Sequence, residues 1–442
     1  MNVAVFGLGK LGQPMAVVLA RAGHQVTAYD VNPEVSHEVG RGRATVDEPM
    51  LAEEMAECGD SLTTSALVEE CVSNSDIAYV IVPTPSQEDG SFTNRFVIEA
   101  VTGIGEALSG REGPYTVVIC STMMPGSTDG EVKEALEASA GRHVDLVYSP
   151  QFIALGSVLH DMRNPDVFLV GTDSTSAYMQ VEEIAKTVFD DPDSVYVAWL
   201  TPTEAEIVKI GINTYITMKI SFANALGWVC GNVPGVDGYR VTRTIGQDSR
   251  IGSKYILSGG PYGGPCFPRD TDAFAAFVKE ATGTDNWAGL AIETAGLNDD
   301  IIKFTVKTAV AAANDESRDR ESSILLLGTG YKPASPVTEE SFAFRVAEAL
   351  EREVTSMGLE FEIFGHDATA DVPWGVSRLT EGAAEAKAAR EDVVTIICSP
   401  EPQFAQMDFS TVVDVWGIVP DENADTLINY RGGNGAHLLI NH

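Results

Sequence analysis

The chain has 442 residues, 64 of them Asp or Glu against 29 Lys or Arg, for a formal charge of −35. So acidic a surface repels nucleic acid and anionic membrane, and no apolar run approaches the ~20 residues that cross a bilayer, which argues against both kinds of partner. An apolar content of 44% suits a folded globular chain with material for two to four domains, and the charge raises a halophilic source as a hypothesis.

The N-terminal run MNVAVFGLG is strand-like, without a basic leader or cleavage site, so the expected location is the cytoplasm. VAVFGLG enters a glycine turn, Pro14 to Ala22 reads as a helix and His24–Asp30 as the next strand. Buried strands are expected at Ile77–Val82, Thr116–Cys120, Asp145–Tyr148 and Val167–Val170, with helices at Asn94–Leu108 and Asp129–Ala138 between them. This alternation predicts a parallel, doubly wound sheet. From about Thr201 the pattern turns helical, with an unusually long helix over Glu204–Asn232 and further helix to about Ala313, interrupted by a glycine-rich loop at 258–266. Asn314–Ser322 reads as a linker. The βαβ rhythm then restarts at Ser323–Leu327, with a helix from about Glu339 and strands at Glu360–Phe364, Asp392–Cys398 and Thr411–Trp416. The expected class is α/β: two Rossmann-like doubly wound parallel-sheet domains, 1–200 and 314–442, joined by a helical central domain, 201–313.

Gly7-Leu8-Gly9-Lys10-Leu11-Gly12 lies between the first strand and the first helix. Gly7 permits the tight turn, Gly9 lets a pyrophosphate reach the backbone, and Gly12 lets helix and sheet pack closely. The helix N-terminus offers N–H groups to the phosphates. Asp30 ends the second strand, where a carboxylate binds ribose hydroxyls and repels a 2′-phosphate. NAD is therefore expected over NADP.

Six scattered cysteines form no CxxC pair, so neither a disulfide framework nor a zinc site is expected. The seven histidines form no ligand cluster. One cysteine stands apart: Cys266 ends the Gly- and Pro-rich run 259–265 and precedes Arg269 and Asp270. An irregular backbone can approach a ligand, and a nearby cation or helix start favours thiolate. Lys209 and Asn213 are four apart and share a helix face, with apolar neighbours around the lysine.

Together these segments resemble the UDP-glucose/GDP-mannose dehydrogenase family. The resemblance runs through GLGKLG (7–12) with Asp30, VDEP (46–49), VPTPS (82–86), STMMPGST (121–128), YSPQF (148–152), EIVKIGIN (206–213), KISF (219–222), RIGSKY (250–255), GGPYGGPCFPRD (259–270) and GTGYKP (328–333). It implies an NAD-dependent, four-electron oxidation of the C6 hydroxyl of a nucleotide sugar, with UDP-glucose the first choice and GDP-mannose the second. On this resemblance Cys266 carries a thiohemiacetal and then a thioester, Lys209 and Asn213 hold the C6 oxygen, Asp270 supports that network and Thr122 lies near the nicotinamide. Pro83, Thr84, Lys10 and Leu11 join the glycines at the cofactor. Gln151, Phe152, Ile153, Tyr255, Tyr262, Gly263 and Lys332 line the sugar-nucleotide site with Lys209 and Asn213. Arg250 reaches it from a neighbouring subunit, which implies a homodimer through the long helix.

The chain departs from the family pattern at three places. Gln151 stands where the family has the glutamate assigned to thioester hydrolysis, which predicts slowed hydrolysis. Glu339 and Trp416 stand where arginine is common, removing positive charge near phosphates. Two readings compete: a single-hydride 3-hydroxyacid dehydrogenase, which lacks the cysteine loop and third domain, and a non-catalytic nucleotide-sugar binding protein.

Overall fold

The computed structural model describes residues 1–314 and 322–429. Most of the expected linker lies outside the described residues. The chain divides into two compact units, Met1–Gly211 and Ile212–His442, the boundary falling inside the helix Pro202–Gly231.

The first unit is built on eight strands: β1 (Asn2–Phe6), β2 (Gln25–Tyr29), β3 (Leu62–Thr64), β4 (Ile77–Val80), β5 (Thr116–Ile119), β6 (Asp145–Tyr148), β7 (Val167–Gly171) and β8 (Tyr196–Leu200). Their order is β3-β2-β1-β4-β5-β6-β7-β8. All pairs are parallel except β6 with β7, which meet antiparallel at Tyr148 and Gly171, a departure from the uniformly parallel expectation. Strand period two sends successive side chains to opposite faces. Val3 and Val5 accordingly join the core under the helices Gly12–Arg21 and Thr175–Val188, while Ala4 and Phe6 join that under Arg95–Leu108 and Lys133–Ala140. Helices cover both faces, so the strands are buried runs rather than alternating ones. The order reverses between β1 and β4, and the crevice at such a switch point is where ligands sit in doubly wound sheets.

The second unit carries six parallel strands: β9 (Ser323–Leu327), β10 (Glu362–His366), β11 (Ser377–Arg378), β12 (Val393–Ile397), β13 (Phe409–Asp414) and β14 (Ala424–Asn429). The order β11-β10-β9-β12-β13-β14 again reverses beside its first strand. Ile324 and Leu326 pack under the helices Gly289–Ala313 and Phe342–Met357, and Leu325 and Leu327 under Glu381–Ala388. Two Rossmann-like sheets, one per unit, are thus in place. No helix among the described residues is long and apolar enough to cross a membrane.

Candidate active site

The β1 turn opens the cofactor crevice of the first unit. Gly7 has φ +94, a region that favours glycine. A Cβ there would lie 2.1 Å from the Ile81 carbonyl oxygen, and one on Gly12 would lie 1.8 Å from the Gly7 oxygen. A Cβ on Gly9 would meet nothing within 4 Å. The outer glycines are therefore demanded by the turn itself, and the middle one opens onto solvent space. Lys10 is exposed and Leu11 half-buried beside it. Asp30, at the end of β2, accepts from Leu8 N at 2.7 Å and Asn32 N at 2.8 Å, so its carboxylate also shapes the turn. Across the switch point, Thr84 Oγ1 donates to the Thr122 carbonyl at 2.6 Å, and Pro83 stands exposed next to it.

The same unit holds the start of the long helix. Lys209, 7% exposed, donates through Nζ to the Gln151 carbonyl at 2.8 Å and lies 4.6 Å from the Phe152 ring centre. The Gln151 side chain donates to the Ser149 carbonyl at 3.2 Å. Phe152 and Ile153 follow it, half-buried.

In the second unit, Cys266 is the exposed N-cap of the helix Phe267–Thr282, which places its sulfur at a positive helix end. Asp270, one turn on and 2% exposed, accepts from Asn213 Nδ2 at 2.6 Å. Two asparagines hold the backbone of the loop before Cys266. Asn224 accepts from Gly259 N and donates to the Gly260 carbonyl, at 2.8 and 3.0 Å. Asn298 does the same for Tyr262, at 2.9 and 3.1 Å. The Trp416 indole lies against Gly259 and Gly260, and Gly263 fits against the Glu340 carbonyl. Tyr255 meets Phe267 edge-on at 6.2 Å. Arg250 is exposed and paired with Asp248 at 2.7 Å.

The β9 turn repeats the β1 arrangement. Asp367, just past β10, accepts from Thr329 N and Gly330 N at 2.6 and 3.0 Å and from Thr369 N and Ala370 N at 2.8 Å each. Burial works against its charge, and these four N–H groups outweigh burial and hold its carboxyl below the ordinary range. Lys332 Nζ stands 5.7 Å from the Tyr331 ring centre near this turn.

Two family models match in sequence order: the NAD binding domain of the UDP-glucose/GDP-mannose dehydrogenase family over residues 1–189, and its central domain over 203–295. The chain belongs to the UDP-glucose/GDP-mannose dehydrogenase family. Its relatives include UDP-glucose 6-dehydrogenase AglM of Haloferax volcanii, 32% identical over 63% of this chain and 66% of that one, just under two thirds of its length. UDP-glucose 6-dehydrogenase of Rhizobium meliloti is 29% identical over 79% of each chain. Among solved structures, a UDP-glucose dehydrogenase from Pyrobaculum islandicum superposes with a TM-score of 0.85 at 28% identity, over 98% of both chains.

The cofactor of this family's N-terminal domain is NAD, and the β1 crevice fits it. The turn that Gly7 and Gly12 permit leaves Gly9 open to a pyrophosphate, and Asp30 places a carboxylate where ribose hydroxyls bind. Among the described residues no His, Cys, Asp or Glu cluster could hold a metal. The sequence assigns no role to Glu206, Asn224 or Asn298, because their partners lie 80, 35 and 36 residues away in the chain.

Proposed function

We propose that this chain is a UDP-glucose 6-dehydrogenase, oxidising the C6 hydroxyl of the sugar to a carboxylate with two NAD. The observation that carries this reading is the likeness to the Pyrobaculum enzyme over nearly the full length of both chains. NAD, when bound, supplies the acceptor for both hydrides. Cys266 Sγ adds to the C6 aldehyde left by the first oxidation and holds it as a thiohemiacetal, so the aldehyde is not lost to water. Loss of the second hydride from that carbon leaves a thioester, and water cleaves it to the carboxylate and the free thiol. Lys209 and Asn213 hold the C6 oxygen as it gains charge, with Asp270 orienting the Asn213 amide. Thr122 borders the nicotinamide, and Thr84 and Pro83 contact the cofactor. Gln151, Phe152, Ile153, Tyr255, Tyr262, Gly263 and Lys332 contact the nucleotide sugar.

GDP-mannose is the second reading, supported by a GDP-mannose 6-dehydrogenase of Azotobacter vinelandii that is 24% identical over 96% of this chain. Thermal-shift comparison of the two nucleotide sugars separates them, since a ligand of the folded state raises its stability. The chemistry is tested by counting NADH. Two per UDP-glucose is expected, one would favour a single-hydride dehydrogenase, and binding without NADH would favour a non-catalytic protein.

A homodimer with Arg250 reaching the partner's site belongs to the same proposal. Tyr215, Phe222 and Val229 recur every seven residues on Pro202–Gly231 and are 56%, 53% and 57% exposed. Such spacing forms one stripe along a helix, suited to a second copy of itself. Sedimentation should give a dimer, and Phe222→Glu a monomer.

A further inference from the structure

Glu206 is fully buried, 0% exposed, one helical turn before Lys209 on Pro202–Gly231. Its carboxylate is bound by a single loop. Gly126 N donates to Oε2 at 2.6 Å, and Thr128 N and Oγ1 donate to Oε1 at 2.8 and 2.6 Å. All three partners act as donors to it, the arrangement an ionised carboxylate accepts. This loop leaves β5 and carries Thr122. Its near end is fixed to the segment after β4: Ser121 Oγ bonds Val82 N and O at 2.9 and 2.7 Å, and Thr84 bonds the Thr122 carbonyl. Its far end is fixed by Glu206, with Asn94 holding Ser127 at 2.8 Å.

Burying a carboxylate is costly, and an apolar residue here would strand three donors. Burial pushes the Glu206 carboxyl up to about 7, the Thr128 and Gly126 donors pull against that shift, and Asp129 on the same loop adds to it. We propose that Glu206 is a positioning residue, anchoring the loop that carries Thr122 to the helix that carries Lys209. Its catalytic consequence rests on the proposed sugar oxidation; the anchoring does not.

The test is Glu206→Gln in the full chain at pH 8.5, where the carboxylate is ionised. The amide nitrogen then opposes one of the loop donors. Hydrogen exchange without substrate should quicken by about tenfold or more at Gly126 and Thr128 and stay unchanged in β1 and β4, as loss of a local hydrogen-bonded unit requires. Unchanged exchange overturns the anchoring. In turnover of UDP-glucose, kcat should fall by ~10- to 100-fold, the effect of a small misplacement of reacting groups, with KM for the sugar nucleotide within about twofold. Faster exchange with an unchanged kcat per folded molecule would reduce Glu206 to a structural residue and overturn the proposal. If Glu206→Gln does not fold, Thr128→Val removes one donor of three and should lower kcat by a smaller factor; an unaltered kcat overturns it equally. A wild-type chain that oxidises no nucleotide sugar overturns the functional reading and the catalytic half of this one, while exchange still decides the anchoring.

Discussion

Lys209 grips Gln151 by its main-chain oxygen, at 2.8 Å, while the Gln151 side chain turns away to the Ser149 carbonyl. That side chain lines a cavity of about 30 Å³ whose other walls include Met15, Leu19, Tyr79, Met162 and Phe168. An amide can donate to a carbonyl in such surroundings; a carboxylate cannot. Gln151→Glu should therefore keep the lysine contact, lose the Ser149 bond and lower stability by ~1–3 kcal/mol. On the proposed thioester route, the wild type should accumulate an acyl adduct on Cys266 that Gln151→Glu diminishes. Intact-mass spectra during turnover check both statements, and an unmodified wild-type mass would remove the case for slow hydrolysis.

The three glycines of the β1 turn should respond differently to alanine. Gly12→Ala forces a Cβ into the Gly7 carbonyl, so the folded state should suffer even without ligand. Gly9→Ala meets only open space, so its melting temperature without NAD should stay near wild type. Its NAD affinity should nevertheless fall by about tenfold or more, because the new methyl occupies the approach path of the pyrophosphate. Calorimetric titration with NAD is the measurement. A Gly9→Ala protein that binds NAD normally would place the cofactor elsewhere.

The fold was legible wherever burial leaves a local pattern. β6 and β9 match their expected bounds because both are short apolar runs between turn residues. The four strands not legible in the sequence, β3, β8, β11 and β14, are the edges of the two sheets: β3 and β11, of three and two residues, have no period to detect, and β8 and β14 are mostly half-buried or exposed, without the apolar run of a central strand. The glycine turn was legible because its conformation limits the residue type. The anchors were not: Glu206 binds a loop some 80 residues earlier, and Asn298 holds Tyr262 across 36 residues. A buried glutamate in an apolar helix announces that it needs partners, but only folding names them.

Trp416 offers a test of the Cys266 loop. An added Cβ on Gly260 would lie 2.2 Å from the indole Cζ2 and 2.4 Å from Cε2. Gly260→Ala should cost ~1–3 kcal/mol through overpacking. Trp416→Ala removes the ring that the methyl strikes, so the double variant should be more stable than the sum of the two losses by ~0.5–3 kcal/mol. Denaturant midpoints of the four proteins give the coupling. Strict additivity would mean that the ring moves aside freely.

Glu206 also sets a pH dependence of stability. Its folded value, about 7, lies above the ordinary 4.5 of a glutamate, so the folded state holds the proton more tightly than the unfolded chain. Its favourable contribution is complete below pH 4.5 and is lost as pH rises through 7, a change of ~3 kcal/mol at most. Glu206→Gln cannot titrate, so the stability difference between wild type and variant should shift against wild type from pH 5 to pH 8. Equilibrium unfolding across that range checks the sign.

The charge of −35 predicts a salt response whose direction follows from comparing two effects. Salt weakens exposed ion pairs such as Arg21–Glu57 and Lys303–Asp300, but pairs of this kind are worth only ~0–1 kcal/mol each. Salt also screens repulsion among 64 carboxylates opposed by 29 cations. The Debye length falls from ~10 Å at 0.1 M to ~3 Å at 1 M, which removes most repulsion between surface charges. Repulsion acts over the whole surface and the pairs at a few points, so the net effect is stabilising. The melting temperature should rise between 0.1 and 1 M KCl, most steeply at the low end if screening alone acts. A rise that continues well above 1 M would add salt-strengthened burial of apolar surface. A flat or falling curve would show that the acidic surface is already relieved at low salt, and the expectation of a halophilic source would go with it.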